Sequence, residues 1–222
     1  MLSGILTNSK SFTQIVMYIL SALIVIFLTL PFHEFAHAFV ADLLGDKTAR
    51  YQRRLTVNPF AHIDYFGALA IILFGFGWAR PVPVNARNFK NGKAGMAVTA
   101  LAGPVMNILL AFVTYFIYYA VAANAKNNMV ITCVLLFLDY YAQINVSFAV
   151  FNLIPIPPLD GWKVLSAFLP DRIYWRVLNY ERYISFALIL IVYMGVLDAP
   201  ISMLSNVILN VITFIPRVIF GY

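Results

Sequence analysis

The sequence predicts an all-α polytopic membrane protein. It would have about five transmembrane helices, a sixth being an alternative, and a short re-entrant or extended membrane element between the first two long helices. Three observations carry this. Of 222 residues, 62% are hydrophobic and 11% charged, against roughly 45–50% and 25% in soluble domains. Apolar runs of spanning length recur along the chain, and the cations gather in the loops between them.

Crossing the hydrocarbon takes about 20 residues, a length reached by Phe12–Leu44, Ala94–Ala123 and Met129–Ile154. The first run is longer than a signal-peptide core and continues without a small-residue cleavage site into His33, so it reads as a retained helix. Tyr183–Leu197 and Ile201–Ile215 are shorter. Separated by Asp198-Ala199-Pro200, they read as a hairpin of thin or tilted spans. Phe66–Trp78 has only 13 residues, Gly67, Gly75 and Gly77 among them, and reads as re-entrant or interfacial.

Charge agrees with that reading. Lys47, Arg50, Arg53 and Arg54 precede Phe66–Trp78, and Arg80, Arg87, Lys90 and Lys93 follow it. The positive-inside bias therefore puts both loops in the cytoplasm. Carried along the chain, this places the N-terminus and the Asn124–Asn128 loop outside, and Leu159–Arg182 and Arg217 inside. Of 15 Lys and Arg, only Lys10 and Lys126 then face outward. A compact multi-pass chain without eukaryotic sorting signals suits a prokaryotic plasma membrane.

Neither a polar linker nor a fixed-period repeat divides the chain, so residues 1–222 are expected to be one domain. The lone Cys133 lies in an apolar run, cannot form an internal disulfide and reads as packing. The net charge of +6 does not indicate nucleic acid, because the cations follow topology rather than one face.

The chemistry begins at His33-Glu34-Phe35-Ala36-His37, an H-E-x-x-H pattern in the cytoplasmic half of the first helix. Residues four apart share a helix face about 6 Å apart along the axis, so both imidazoles can reach one metal. Glu34, beside them, is placed to take a proton from water. In a soluble helix such residues could be incidental. In lipid, charged forms cost at least ~2.5 kcal/mol each, which disfavours an unpaired cluster.

A catalytic zinc takes three protein ligands and leaves one position open. Asp160 is the candidate third ligand. It follows Asn152-Leu-Ile-Pro155-Ile-Pro157-Pro158-Leu, where the prolines stop the helix and let the chain turn into a polar cavity. The plainer reading of Asp160-Gly161 is a turn. Asp139 stands in reserve as a ligand. His62, in Asn58-Pro-Phe-Ala-His62, reads as a turn or gating residue rather than a ligand, given three better donors. Asn107 and Asn152 could join helices or hold a substrate backbone.

At this point the chain resembles the site-2 protease family of intramembrane zinc metalloproteases, in its compact prokaryotic form. Besides His33–His37, the matching stretches are Ala41–Asp46, Leu55–Asp64, Gly77–Asn85, Ala102–Asn107 and Phe151–Gly161. The resemblance implies His33, His37 and Asp160 as ligands of one zinc and Glu34 as the catalytic base. It also implies an extended element at Gly77–Asn85, whose Pro81, Val82 and Pro83 could meet an unwound substrate by strand addition, with the prolines limiting which edge pairs. The implied activity is hydrolysis of a peptide bond in or near the transmembrane segment of a membrane-anchored protein, in the bilayer and under a regulatory membrane protein. Two departures are visible: Tyr65 stands where relatives usually have proline, and Arg53 where they usually have glycine. A membrane zinc transporter or metal sensor would also hold histidine and aspartate in the bilayer, but it has no need of Glu34.

Overall fold

The computed structural model describes residues 11–67, 69, 80–126 and 128–221, and all the regular structure among them is helical. The first long helix begins as α1 (Phe12–Ile24) under a capping box in which Ser11 and Gln14 bond each other's backbone N–H. It passes through a π-helical turn, Val25–Thr29, into α2 (Leu30–Leu43). Pro31 accounts for the turn: it has no N–H and its ring crowds the carbonyl four residues back, so the helix widens there. The connection to the next long helix carries α3 (Thr48–Tyr51) and α4 (Pro59–His62). The expected re-entrant element at Phe66–Trp78 falls almost wholly outside the described residues.

α5 (Gly92–Asn124) and α6 (Met129–Asn152) form an antiparallel hairpin. Ala111, Tyr115 and Tyr119 of α5 bury against Ala142, Val146 and Val150 of α6. Small residues at such a seam let two helices approach closely. The first helix joins α6 by polar contacts: Ser21 Oγ donates to the Phe137 carbonyl, and Thr29 Oγ1 lies 3.0 Å from Tyr141 Oη and 3.1 Å from Asn145 Oδ1. α7 (Asp160–Ser166), α8 (Asp171–Asn179), α9 (Glu181–Tyr193) and α10 (Asp198–Phe220) complete the chain.

Among the described residues, four helices are long and apolar enough to cross a membrane: Phe12–Leu43, Gly92–Asn124, Met129–Asn152 and Asp198–Phe220. α10 presents Met203, Leu204, Val207, Val211, Phe214 and Val218 outward, each more than half exposed, as a lipid-facing helix does. The anticipated fifth span is α9. Its 13 residues rise only about 20 Å, short of the ~30 Å hydrocarbon core.

One expectation is corrected. Arg217 was assigned to the end of the bundle opposite the Asn124–Asn128 loop. Instead its Nε donates to Tyr119 Oη at 2.8 Å, and Phe220 meets Phe116 at 5.3 Å between ring centroids. The C-terminal end of α10 therefore stands beside the C-terminal part of α5, where that loop lies. Charge counting placed Arg217 elsewhere because it treated α9 as a full crossing.

Candidate metal centre

His33 and His37 project from one face of α2, and both are buried. Asp160 opens α7 after the proline-broken turn that ends α6. Gly161 makes that turn feasible: a Cβ there would collide with the Leu153 carbonyl, so only glycine lets α7 fold back this closely. Asp160 does more than stabilise a turn. Its Oδ2 lies 3.3 Å from His33 Nε2 and 3.1 Å from His37 Nε2, and the two Nε2 atoms are 3.1 Å apart. Its Oδ1 accepts from Lys163 Nζ at 2.9 Å.

These three atoms fit one small cation. Zinc bonds of about 2.0–2.1 Å at tetrahedral angles put neighbouring ligand atoms ~3.3 Å apart, close to each side of this triangle. The outer contacts support the same use. His37 Nδ1 donates to the Thr99 carbonyl at 2.7 Å, and His33 Nδ1 faces Asn107 Oδ1 at 3.3 Å. With Nδ1 engaged as donor, a neutral imidazole turns the lone pair of Nε2 inward. Asn107 is thus brought to the site as a support for His33, and it is fully buried.

Gly103 is the contribution that sequence reasoning missed. A Cβ there would meet the imidazoles of both His33 and His37, so α5 can pass this close only with no side chain at that point. The stretch Ala102–Asn107 pointed at the region; the reason for glycine needed the distances.

Glu34 is also buried, and its Oε2 accepts the backbone N–H of Val82 at 2.8 Å. A cavity of about 310 Å³ opens beside it, lined by Glu34, His37, Val82, Thr99, Asp160 and Lys163 among others, including Pro81. Two other residues considered for the site are engaged elsewhere. Asn152 Nδ2 donates to the Phe148 carbonyl of its own helix. Asp139 accepts from Tyr115 Oη at 2.9 Å and from Gln143 Nε2 at 2.8 Å, so the reserve ligand does not join the cluster. His62 is fully buried in the connecting loop with Nε2 donating to the Thr56 carbonyl, and burial lowers its pKa, which keeps the ring neutral.

Comparison with known proteins agrees with the geometry. Residues 21–192 match the model of peptidase family M50. The chain belongs to that family, the site-2 proteases. It is 39% identical over 168 residues to YwhC of Bacillus subtilis, described as a candidate zinc metalloprotease, and the match covers 75% of each chain. Rip2 of Mycolicibacterium smegmatis, described in the same terms, is 29% identical over 147 residues, 64% of this chain and 54% of that protein. Rip2 of Mycobacterium tuberculosis is 26% identical over 145 residues with the same coverage. This chain therefore spans about half the length of the Rip2 relatives. No solved structure matches it. As an M50 member the chain is a metalloendopeptidase with zinc as its cofactor, and His33, His37 and Asp160 form the group able to hold a metal among the described residues.

Proposed function

We propose that this M50 peptidase works inside the bilayer, hydrolysing a peptide bond in or near the transmembrane segment of a membrane-anchored protein. The observation that carries the reading is the position of the cluster. Two of its three members and Glu34 sit on Phe12–Leu43, a helix itself long and apolar enough to cross a membrane, and all four groups are buried.

In this reading His33, His37 and Asp160 hold the zinc, which supplies Lewis acidity toward the scissile carbonyl and the attacking water. Glu34 takes the proton of that water and later delivers it to the leaving amine. Asn107 and the Thr99 carbonyl fix the two imidazoles. The cavity beside Glu34, walled by Pro81 and Val82, receives the substrate backbone, with Asn152 near its entrance. A helical substrate keeps its carbonyls bonded along the helix, so it must unwind locally, which favours segments with helix-breaking residues at the cut. The N-terminus lies outside, the site faces the cytoplasmic side of a prokaryotic plasma membrane, and a regulatory membrane protein governs access.

The test compares wild type with Glu34→Gln in liposomes holding a model membrane-anchored substrate, measuring zinc content and cleavage together. The variant should keep about one zinc per chain and lose cleavage by roughly 10²–10⁴-fold. If it cuts as fast as wild type, Glu34 is not the base and the reading fails. A variant that instead keeps moving zinc across the bilayer would identify a transporter.

A further inference from the structure

Residues 80–85 run as an extended strap past the site, and the strap is anchored at both ends. At the first end, Arg54 Nη2 donates to the carbonyls of Arg80 at 2.7 Å and Pro81 at 3.3 Å, while the Arg80 N–H donates to the His62 carbonyl at 2.7 Å. In the middle, the side chain of Val82 packs into a small core with Ala38 and Ala49. At the far end stands Asp46, fully buried. It accepts from the Asn85 N–H at 2.7 Å, from Asn88 Nδ2 at 2.7 Å, and from both the N–H and the hydroxyl of Thr48. Burial alone would raise the Asp46 pKa, yet these donors hold its carboxyl below the usual range.

The sequence of the strap leaves it one inward donor. Proline has no N–H, so Pro81-Val82-Pro83 carries a single backbone N–H, and that one goes to Glu34 Oε2 at 2.8 Å. A substrate strand therefore finds no free N–H on residues 81–83. A glutamate side chain has three rotatable bonds, and ordering them costs conformational entropy. A charge-assisted bond from a fixed backbone group holds one oxygen in place and leaves the other to face water.

We infer that the Val82 N–H positions the carboxylate of Glu34 for catalysis, and that Asp46 and Arg54 are positioning residues acting through the strap that carries this donor. The inference rests on Glu34 being the base. It assigns a task to Asp46 and Arg54, which touch neither the metal-binding group nor the cavity.

The experiment separates the donor from the side chain. Val82→Ala keeps the N–H and loses packing; Val82→Pro loses the N–H as well. Both, with Asp46→Asn and Glu34→Gln, are assayed in liposomes for kcat, KM and zinc content. Val82→Pro is expected to lower kcat roughly tenfold to a hundredfold below Val82→Ala, with KM and zinc content matching it. Asp46→Asn should also lower kcat at constant zinc, by a smaller factor. Equal kcat for the two Val82 variants overturns the inference. Should Val82→Pro fail to fold, Asp46→Asn decides, and wild-type kcat there overturns it equally. Glu34→Gln keeps the two readings apart: if it is active, the proposed mechanism falls and this inference with it; if it is inactive while the Val82 variants agree, only this inference falls.

Discussion

Two aspartates lie among the helices of the bundle, and their neighbours give them different work. Asp139 meets donors: Tyr115 Oη and Gln143 Nε2 each give a hydrogen to one of its oxygens. Asp160 meets one donor, Lys163, and on its other oxygen two imidazole nitrogens. Those nitrogens belong to rings whose Nδ1 atoms are directed at Thr99 and Asn107. The first cluster is complete as a hydrogen-bond network. The second has three acceptor atoms turned toward one point, which only protons or a cation can satisfy. A carboxylate at membrane depth does not by itself make a metal site; convergent lone pairs do.

The largest effect that could break this comparison is on zinc itself. Asp160→Asn, in the purified full chain, should lower zinc affinity on the order of 10²-fold or more, because the site loses its one anionic ligand. Asp139→Asn should leave zinc affinity unchanged, since an amide oxygen there can still accept from Tyr115. Competition against a calibrated chelator measures both. Equal losses in the two variants would mean that the acids are not separate systems.

A smaller effect sharpens the comparison without touching a ligand. Gly103→Ala puts a methyl group against both imidazoles and should weaken zinc roughly 10–100-fold by turning the ligands away. The same chelator competition reads it. Undiminished affinity would show that α5 can withdraw from α2 freely, and that the close approach at Gly103 does not shape the site.

These residues differ in how far the sequence announced them. His33, Glu34 and His37 were legible because helix periodicity alone puts i and i+4 on one face. Asp160 was legible because three prolines break α6 just before it. Thr99 acts through its carbonyl and Gly103 through having no side chain, so neither leaves a chemical signature in a residue list. Asn107 and Asp139 were legible as polar residues in apolar helices, but which one serves the histidines depends on depth and rotation that one sequence does not specify. Arg53 lies between these cases. Its φ of +56° is the left-handed conformation that glycine adopts at least cost, which explains why the family usually has glycine there. The C-terminal helix was misplaced at the level of topology, because a 13-residue apolar helix looks in sequence like a thin span.

The smallest effect lies wholly on the other side of the comparison. Tyr115→Phe keeps the ring that packs against α6 and removes only the hydroxyl bonded to Asp139. A hydrogen bond to a charged group contributes about 1.5–3 kcal/mol in water-soluble proteins, while side-chain bonds between membrane helices average ~0.6. A loss of about 1–2 kcal/mol in unfolding free energy, read by denaturation in detergent, is therefore expected. Zinc affinity should not move, because Tyr115 stands about 12 Å further along α5 than Asn107 and shares no hydrogen bond with the histidines. If stability and zinc affinity fell together, the α5–α6 seam would be setting the depth of Asn107 against His33. The Asp139 network would then be a support of the metal centre, and the contrast drawn from its hydrogen bonds would be wrong.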